Sequence, residues 1–484
     1  MFHGDRSKPA SNFLSIQYME GESLHILMLP WLAFGHLLPF LELSKSLARK
    51  GHRISFLTTT KNVARLPTIP PPLTPFINFV EITLPQIEHL PENATATIDL
   101  PSDDLRPYLR KAFDTLDQKL SDLIQNKEIS DLDTIVYDYA AHWVPQIAAK
   151  FGVSCAFFSV FKASSLSFFG PPSALLGGAG ARTKEEDFTM LPAWIPFPST
   201  AVYRPFESRE LFKPGCIPDA SGVSETYRFG ISIQGSQIVL IRTCKELEPE
   251  WLQLLGQLYE KPVIPVGLLP PSIEQGFHHA ALDWLDKQEQ GSTVYISFGS
   301  EVKLNSAQVQ EIAIGLELSD LPFVWALRAG SAPARLVESI HDRGDGLVCT
   351  DWVPQVRILA HASIGGFLTH GGWNSIVEGL AFGRAMVVLP MMFEQGLNAR
   401  NLVEKGFAVE VPRKEDGSFT GDGIAQSLRL AMFEDEGEEL RTKAKQCTKV
   451  FGNEELNDFC ISESIERIRG ICSSRIGGLE HSTK

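Results

Sequence analysis

The sequence has no run of eighteen or more apolar residues, and its apolar stretch at 155–169 is interrupted by Lys162. A chain of this kind is not expected to span a membrane. Residues 1–23 mix charged residues with glycine and proline and lack the apolar centre of a secretory signal, so we predict a disordered leader there. We therefore expect a cytoplasmic protein.

Cysteine pairs and clustered positive charge are also missing. The seven cysteines among 484 residues include no Cys-x-x-Cys pair, which argues against a zinc site or a disulfide framework and favours a reducing compartment. The formal net charge is −14, and no basic patch stands out that could release counterions from a nucleic acid. We expect no nucleic-acid partner, and we expect a monomer.

Strand and helix patterns alternate along both halves of the chain. In the first half, leucines at helical spacing occur at 37–50, between strand-like segments at 24–29 and 53–58. In the second half, the alternation restarts with a strand-like segment at 293–298 and a helical pattern at 306–318. This alternation predicts an α/β fold with parallel, doubly wound sheets covered by helices on both faces. A chain of 484 residues is long enough for two or three domains.

Composition suggests where the domains meet. The segment 261–279 is rich in proline and glycine and has little periodicity, so we predict a linker there. One domain is placed at 24–260 and a second at 280–455, and we expect a helix within 456–484 to pack back toward the first domain before a short tail. Inside the first domain, a capping run at 102–104 precedes one predicted helix.

The strongest local motif is Thr-His-Gly-Gly-Trp-Asn-Ser at 369–375, which follows an apolar strand and precedes a helical stretch. Gly371 and Gly372 allow close approach of the backbone to a ligand, the helix start presents free N–H groups, and His370 and Ser375 add side-chain donors. We predict a pyrophosphate site. The alternative is an ordinary Gly-Gly turn between a strand and a helix.

Other side chains point to the same crevice. Glu378 lies one turn into the helix, where its carboxylate could accept hydrogen bonds from ribose hydroxyls. Trp352 follows a strand and could stack on a base, and Glu394 and Gln395 follow another strand and could bind sugar hydroxyls. Taken singly, Glu378 could be a solvated surface residue and Trp352 a core residue. Together they predict a nucleotide-sugar site, because ligands of open α/β sheets bind at the carboxyl ends of the strands.

The 44 residues at 352–395, WVPQVRILAHASIGGFLTHGGWNSIVEGLAFGRAMVVLPMMFEQ, resemble the signature of plant secondary-product UDP-glycosyltransferases. That family has the GT-B fold, two facing Rossmann-like domains of which the C-terminal one holds most of the donor, and the likeness extends over 24–469. The resemblance implies a UDP-sugar co-substrate and a small acceptor, with no cofactor and no metal. The donor-binding residues that it implies are Ser300 near the phosphates, Trp352 at the uracil with Val353 beside it, Gln355 and Glu378 at the ribose, His370, Gly372, Trp373, Asn374 and Ser375 at the phosphates, and Glu394 and Gln395 at the sugar.

The chain departs from the family pattern at two positions. Gly371 stands where cysteine is common, which leaves the role of the backbone intact. Glu394 stands where aspartate is common, and its longer side chain leaves open whether the sugar is glucose or, for example, rhamnose. The sequences at 137–143 and 396–401 are similar to the branch-forming group of the family, whose members extend a sugar on a flavonoid, terpenoid or steroid.

A candidate catalytic pair lies in the first half. His36 opens the first predicted helix, whose positive end disfavours imidazolium and keeps the ring available as a base. Asp138 follows the predicted strand at 133–137, so both residues are expected at the carboxyl edge of one sheet. There Asp138 would fix the ring tautomer while His36 takes the proton of an acceptor hydroxyl. The family resemblance gives the two residues these same roles, and the alternatives are a local hydrogen bond for His36 and a loop cap for Asp138.

These residues predict one displacement at the anomeric carbon with inversion of configuration. Asp131 and Asp133 resemble a metal-binding Asp-x-Asp motif, but they precede a strand, and we interpret them as a solvated turn. A nicotinamide oxidoreductase is disfavoured, because the first strand-helix turn has one glycine, Gly35, and not Gly-x-Gly-x-x-Gly. A non-catalytic protein that binds UDP-sugars or metabolites stays an alternative.

Overall fold

The computed structural model describes residues 23–273, 278–328, 330–331 and 333–480. The predicted leader, except Ser23, lies outside the described residues, as do 274–277 of the predicted linker and the predicted tail at 481–484. Among the described helices, none is both long enough and apolar enough to cross a membrane.

Two sheets form the framework, and neighbouring strands in each are parallel. The strands of the first sheet are β1 His25–Leu29, β2 Arg53–Thr59, β3 Ile77–Ile82, β4 Thr134–Tyr137, β5 Ser154–Ser159, β6 Ile238–Ile241 and β7 Val263–Pro265. The strands of the second sheet are β8 Thr293–Ser297, β9 Phe323–Ala326, β10 Gly346–Cys349, β11 Ile364–Thr369, β12 Ala385–Val388 and β13 Ala408–Glu410. The predicted α/β fold with two doubly wound parallel sheets is confirmed.

Helices connect the strands and cover the sheets. They are α1 Phe34–Arg49, α2 Thr60–Val63, α3 Arg106–Asp114, α4 Leu116–Gln125, α5 Val144–Phe151, α6 Ala163–Phe169, α7 Pro172–Leu175, α8 Pro205–Cys216, α9 Glu225–Gly235, α10 Pro249–Tyr259, α11 Ala280–Leu285, α12 Ser306–Ser319, α13 Ala334–Arg343, α14 Gln355–Ala360, α15 Trp373–Ala381, α16 Gln395–Lys405, α17 Gly421–Met432, α18 Glu438–Phe451 and α19 Glu454–Glu480.

Each sheet is apolar on both faces. In β1, Ile26 and Met28 belong to one buried cluster while Leu27 belongs to another, because successive side chains of a strand point to opposite faces. Tyr295 and Ile296 divide in the same way between the two clusters of the second sheet. Burial on both faces leaves the carboxyl ends of the strands as the place for polar groups.

The order of the strands locates a crevice in each sheet. The first sheet runs β3-β2-β1-β4-β5-β6-β7 and the second runs β10-β9-β8-β11-β12-β13. The direction of chain progression reverses between β1 and β4 in the first sheet and between β8 and β11 in the second. Ligands of such sheets bind outside the carboxyl ends of the strands at this reversal. Loops that follow β1, β4, β8 and β11 should therefore carry the site.

Two local predictions are corrected. The segment predicted as an irregular linker contains a strand, Val263–Pro265, which pairs with β6 and extends the first sheet. The single helix predicted after 102–104 is two helices, α3 and α4, separated at Thr115. The Thr115 hydroxyl donates to the carbonyl oxygen of Ala112 at 2.7 Å, and a threonine bonded to the preceding turn in this way bends or interrupts a helix.

The last helix, α19, crosses to the first sheet. Its Ile461, Ile465 and Ile468 are buried in the same cluster as Ile26 and Met28 of β1. The end of the chain thus contributes to the core of the first half, although it follows the second sheet in sequence.

We expect Ile465→Ala to lower the free energy of unfolding of the first half by about 2–5 kcal/mol, because the removed side chain is fully buried. Chemical denaturation of the purified protein measures the change. The matched control is Phe459→Ala on the same helix, where the ring is 62% exposed and a change of at most about 0.5 kcal/mol is expected. Equal effects of the two substitutions would contradict this account of α19.

Candidate functional site

His36 and Asp138 meet at the carboxyl edge of the first sheet. His36 lies in the first turn of α1, directly after β1, and Asp138 directly follows β4. His36 Nδ1 and Asp138 Oδ2 are 2.7 Å apart, and the backbone N–H of Trp31 donates to the same carboxylate oxygen at 3.3 Å. Asp138 is 1% exposed, so its carboxylate is held in one place. The strand reversal thus joins two residues that are 102 positions apart.

The surroundings of His36 raise its basicity. Burial disfavours the charged ring, but the carboxylates of Asp138, Glu301 and Glu394 outweigh burial and raise the pKa of His36 above the usual 6.5. The sequence predicted that the helix start would disfavour the charged ring; this expectation is wrong in direction, because the neighbouring carboxylates favour the charged ring. A ring with a raised pKa accepts a proton more readily, provided that the pH keeps it unprotonated.

Aromatic rings line one side of His36. The Phe161 ring lies edge-on at 5.5 Å and the Tyr139 ring at 5.9 Å, measured between ring centroids. Phe229 stacks on Tyr139 at 4.2 Å and also contacts Phe169 at 5.5 Å. We call Tyr139, Phe161, Phe169 and Phe229 the aromatic wall. The other phenylalanine rings of the apolar stretch at 155–169 are core residues, namely Phe157, Phe158 and Phe168.

Across from this pair, the loop between β11 and α15 carries the Thr-His-Gly-Gly-Trp-Asn-Ser motif. The His370 ring is packed between Gly299, in the loop after β8, and Gly372, in its own loop. A Cβ on Gly299 would lie 2.8 Å from Cε1 of His370, and a Cβ on Gly372 would lie 2.5 Å from Nε2, so neither position has room for a side chain. Burial lowers the pKa of His370 to about 4, which makes the ring a neutral hydrogen-bonding group at physiological pH.

The start of α15 touches the first half of the chain. The Asn374 side-chain amide donates to the carbonyl oxygen of Gly35 at 3.2 Å, next to His36. Trp373 is buried, and its indole Nε1 donates to the carbonyl oxygen of Arg242 at 3.0 Å. Because that side chain is engaged there, its backbone N–H is the group of Trp373 that can face an anion. Ser375 is buried in the same first turn.

The predicted ribose residues form a pair. Gln355 Nε2 donates to Glu378 Oε2 at 2.5 Å, and Gln355 Oε1 accepts from the Tyr295 hydroxyl at 3.1 Å. Burial raises the pKa of Glu378. Trp352 is 66% exposed at the carboxyl end of β10, which suits a ring that stacks on a base, while Val353 packs partly against the core.

Glu394 and Gln395 lie at the start of α16. The Gln395 side-chain oxygen accepts from the backbone N–H groups of Met391 and Met392, at 3.0 and 2.9 Å, so this amide also shapes the loop after β12. The Asn398 side chain donates to Glu394 Oε1 at 3.3 Å. Burial raises the pKa of Glu394 to about 7.

Several residues of this site carry no sequence signal. Glu301 follows Ser300 in the loop after β8, where the Ser300 carbonyl oxygen accepts from Arg328. The Glu301 carboxylate accepts from the Thr97 hydroxyl at 2.6 Å and pairs with Arg106 at 3.0 Å, both in the first half of the chain. These contacts join residues about 200 positions apart, which no local pattern could reveal.

The Asp131 and Asp133 pair lies elsewhere. Both precede β4 and therefore lie at the sheet edge opposite to Asp138. The Asp133 carboxylate accepts from the backbone N–H of His25 at 2.7 Å, as a structural turn residue does.

Comparisons with known proteins indicate the family of the chain. Residues 261–436 match the family model described as UDP-glucoronosyl and UDP-glucosyl transferase. The chain is 47% identical to UDP-glycosyltransferase 91C1 of Arabidopsis thaliana over 94% of this chain and 98% of that protein. It is 40% identical to soyasaponin III rhamnosyltransferase of Glycine max over 92% of this chain and 95% of that protein.

A solved structure shows the same fold. The crystal structure of Glycyrrhiza uralensis UGT73P12 complexed with glycyrrhetinic acid 3-O-monoglucuronide matches with a TM-score of 0.77 at 21% identity, over 96% of this chain and 99% of that chain. Two doubly wound sheets whose carboxyl edges meet form the GT-B fold. The chain belongs to the plant UDP-glycosyltransferase family.

The raised pKa of His36 predicts a pH dependence. If neutral His36 is the base, kcat/KM falls as the pH falls through the pKa of His36, which lies above 6.5. Asp138→Asn removes the main group that raises this pKa and leaves burial to lower it, so the acid limb moves to lower pH. The maximal rate of Asp138→Asn falls by roughly 10²–10⁴-fold, because the ring loses its orienting carboxylate.

A pH-rate profile of the wild-type and Asp138→Asn enzymes tests this prediction. An acid limb that stays at the same pH in Asp138→Asn would count against it.

Proposed function

We propose that the enzyme moves a sugar from a UDP-sugar to a hydroxyl of a small acceptor in a single displacement, with His36 as the base. The observation that carries the proposal is the contact between the two sheet edges. His36 is bonded to Asp138 at 2.7 Å, and the neighbouring Gly35 accepts from Asn374 in the first turn of α15 at 3.2 Å. The base and the anion-binding helix start therefore border one crevice.

The chemistry follows from the placement of the ring nitrogens. With Nδ1 bonded to Asp138, Nε2 of His36 takes the proton of the acceptor hydroxyl, and Asp138 stabilises the imidazolium that forms. The acceptor oxygen forms a bond to the anomeric carbon as the bond from that carbon to the phosphate oxygen breaks. The electron pair leaves with UDP, and the configuration inverts. An α-linked UDP-glucose gives a β-glucoside.

The leaving group is stabilised by neutral donors. We place the charged diphosphate of UDP at the start of α15. There it is surrounded by the free backbone N–H groups of the first turn and by His370 and Ser375. Ser300 borders the same loops, Trp352 and Val353 hold the uracil, and we assign Gln355 and Glu378 to the ribose. These donors answer the phosphate charge without a metal ion.

Glu394 and Gln395 are assigned to the donor sugar, which we propose is glucose. UDP-rhamnose is the second candidate, because a relative that is 40% identical is named a rhamnosyltransferase of soyasaponin III. That name also supports an acceptor that already carries sugar. The aromatic wall beside His36 suits the flat or fused-ring body of a flavonoid, terpenoid or steroid.

The proposed function requires two domains, one for each substrate. We infer an acceptor-binding half at 24–260 and a donor-binding half at 280–455, with α19 returning to the first half. We propose a monomer that acts in the cytoplasm. A protein that binds UDP-sugars without turnover would not need the bonded pair His36 and Asp138, whereas an acid-base catalyst does.

His36→Ala is expected to lower kcat by about 10²–10⁴-fold, because the acceptor loses its base, while the affinity for UDP stays within about twofold. Product formation by mass spectrometry gives the rate, and calorimetric titration with UDP gives the affinity. His89→Ala serves as the control, since His89 is an exposed histidine in the first half. Undiminished turnover in His36→Ala would refute the proposed mechanism.

A substrate panel tests the sugar and the acceptor. The purified enzyme is assayed with UDP-glucose and with UDP-rhamnose against flavonoid, terpenoid and steroid aglycones and their monoglycosides. We expect transfer from UDP-glucose at a rate at least about tenfold above UDP-rhamnose, and transfer to monoglycosides. Higher activity with UDP-rhamnose would select the second donor, and activity confined to aglycones would remove the assignment to glycosides.

A further inference from the structure

Lys162 is a buried cation at the boundary between the two halves. It is 1% exposed, and its Nζ donates to Asn401 Oδ1 on α16 at 2.6 Å, across 239 positions of sequence. Nζ also lies 5.8 Å from the centre of the Trp373 ring. No ion pair of Lys162 occurs among the described residues. A cation buried without an ion pair opposes folding, so its presence here points to a role in the site.

A second hydrogen bond joins the same two helices. The Ser165 hydroxyl of α6 donates to Asn398 Oδ1 of α16 at 3.1 Å. The Asn398 amide in turn donates to the Gly371 carbonyl oxygen at 3.0 Å and to the Glu394 carboxylate at 3.3 Å. Asn398 thereby connects α6 with the loop between β11 and α15, which we assign to the diphosphate, and with the carboxylate assigned to the donor sugar.

The segment 161–169 also reaches the base and the acceptor. Phe161, directly before Lys162, packs edge-on against His36 at 5.5 Å, and Phe169 at the end of α6 contacts Phe161 at 6.2 Å. A single short segment therefore touches the base, the aromatic wall and the helix that begins with Glu394 and Gln395.

We propose that Lys162 is a positioning residue which, through Asn401, holds α16 in register with His36, so that the bound donor sugar presents its anomeric carbon to the base. The inference rests on the proposed assignment of Glu394 and Gln395 to the sugar. Lys162 touches neither substrate in this arrangement and acts through α16.

The charge of Lys162 depends on its neighbours. Burial lowers its pKa to about 8, Lys405 also opposes the charge, and the carboxylates of Glu248, Glu394 and Glu404 favour it. Above this pH the amine loses a proton and donates more weakly to Asn401. The wild-type enzyme is therefore expected to lose activity on the alkaline side near pH 8, and this limb should depend on Lys162.

Lys162→Met tests the proposal, because it removes the amine and keeps most of the stem. We expect kcat/KM for the UDP-sugar to fall about 10- to 100-fold, since small misplacements of reacting groups have effects of this size. The affinity for UDP alone should stay within about twofold, and the alkaline limb should disappear. The matched control is Lys261→Met, which should leave all three quantities unchanged. Among the described residues, the Lys261 amine donates only to carbonyl oxygens of the first half, those of Ile233, Gln234 and Ser236.

The outcomes separate this inference from the proposed function. Wild-type kinetics and an intact alkaline limb in Lys162→Met, together with an inactive His36→Ala, would overturn the role of Lys162 alone. Activity in His36→Ala would overturn the proposed mechanism itself. Should Lys162→Met fail to fold, Asn401→Leu decides the question by the same three readouts, because it removes the partner and leaves the lysine. Normal donor kinetics in Asn401→Leu would overturn the inference.

Discussion

The guanidinium of Arg242 holds the two halves of the enzyme together at the crevice. It follows β6 and donates to the carbonyl oxygens of Leu268 and Leu269, at 2.7 and 3.2 Å, and to the side chain of Asn374. Its own carbonyl oxygen accepts from the Trp373 indole. Burial lowers the pKa of Arg242 to about 10, yet an arginine with this pKa stays charged at physiological pH. The start of α15 is thus fixed against the first sheet before any donor binds.

That contact brings polar groups of the two halves together. Both sheets are apolar on both faces, so their charged and hydrogen-bonding groups can gather only where the strands end. Once α15 is held against the first half, Asn374 lies beside Gly35, which directly precedes His36. For the proposed reaction, preorganisation of this kind removes part of the entropic cost of bringing donor and acceptor together.

The fold could be predicted from the sequence largely because its strands are apolar and separated by helical patterns. The strand expected at 53–58 is Arg53–Thr59, whereas the three-residue strand Val263–Pro265 was missed because it is too short for a period and lies in a proline-rich segment. Sequence reasoning found the segment 352–395 from its motif. It found His36 and Asp138 because each follows the end of a predicted strand. Arg242, Glu301 and Lys162 were not found, because their partners in the other half of the chain lie at least 130 positions away and an isolated charged residue has no pattern.

The position of Glu394 has a consequence for how such enzymes diversify. It lies at the start of α16, beyond the end of β12, where its buried carboxylate accepts from Asn398 of the same helix and is not one of the apolar groups of the core clusters. A lineage can lengthen or shorten the carboxylate at this point without disturbing the core that keeps the chain folded. With Glu394 assigned to the donor sugar, as proposed above, donor preference can therefore change among related enzymes while their architecture stays the same.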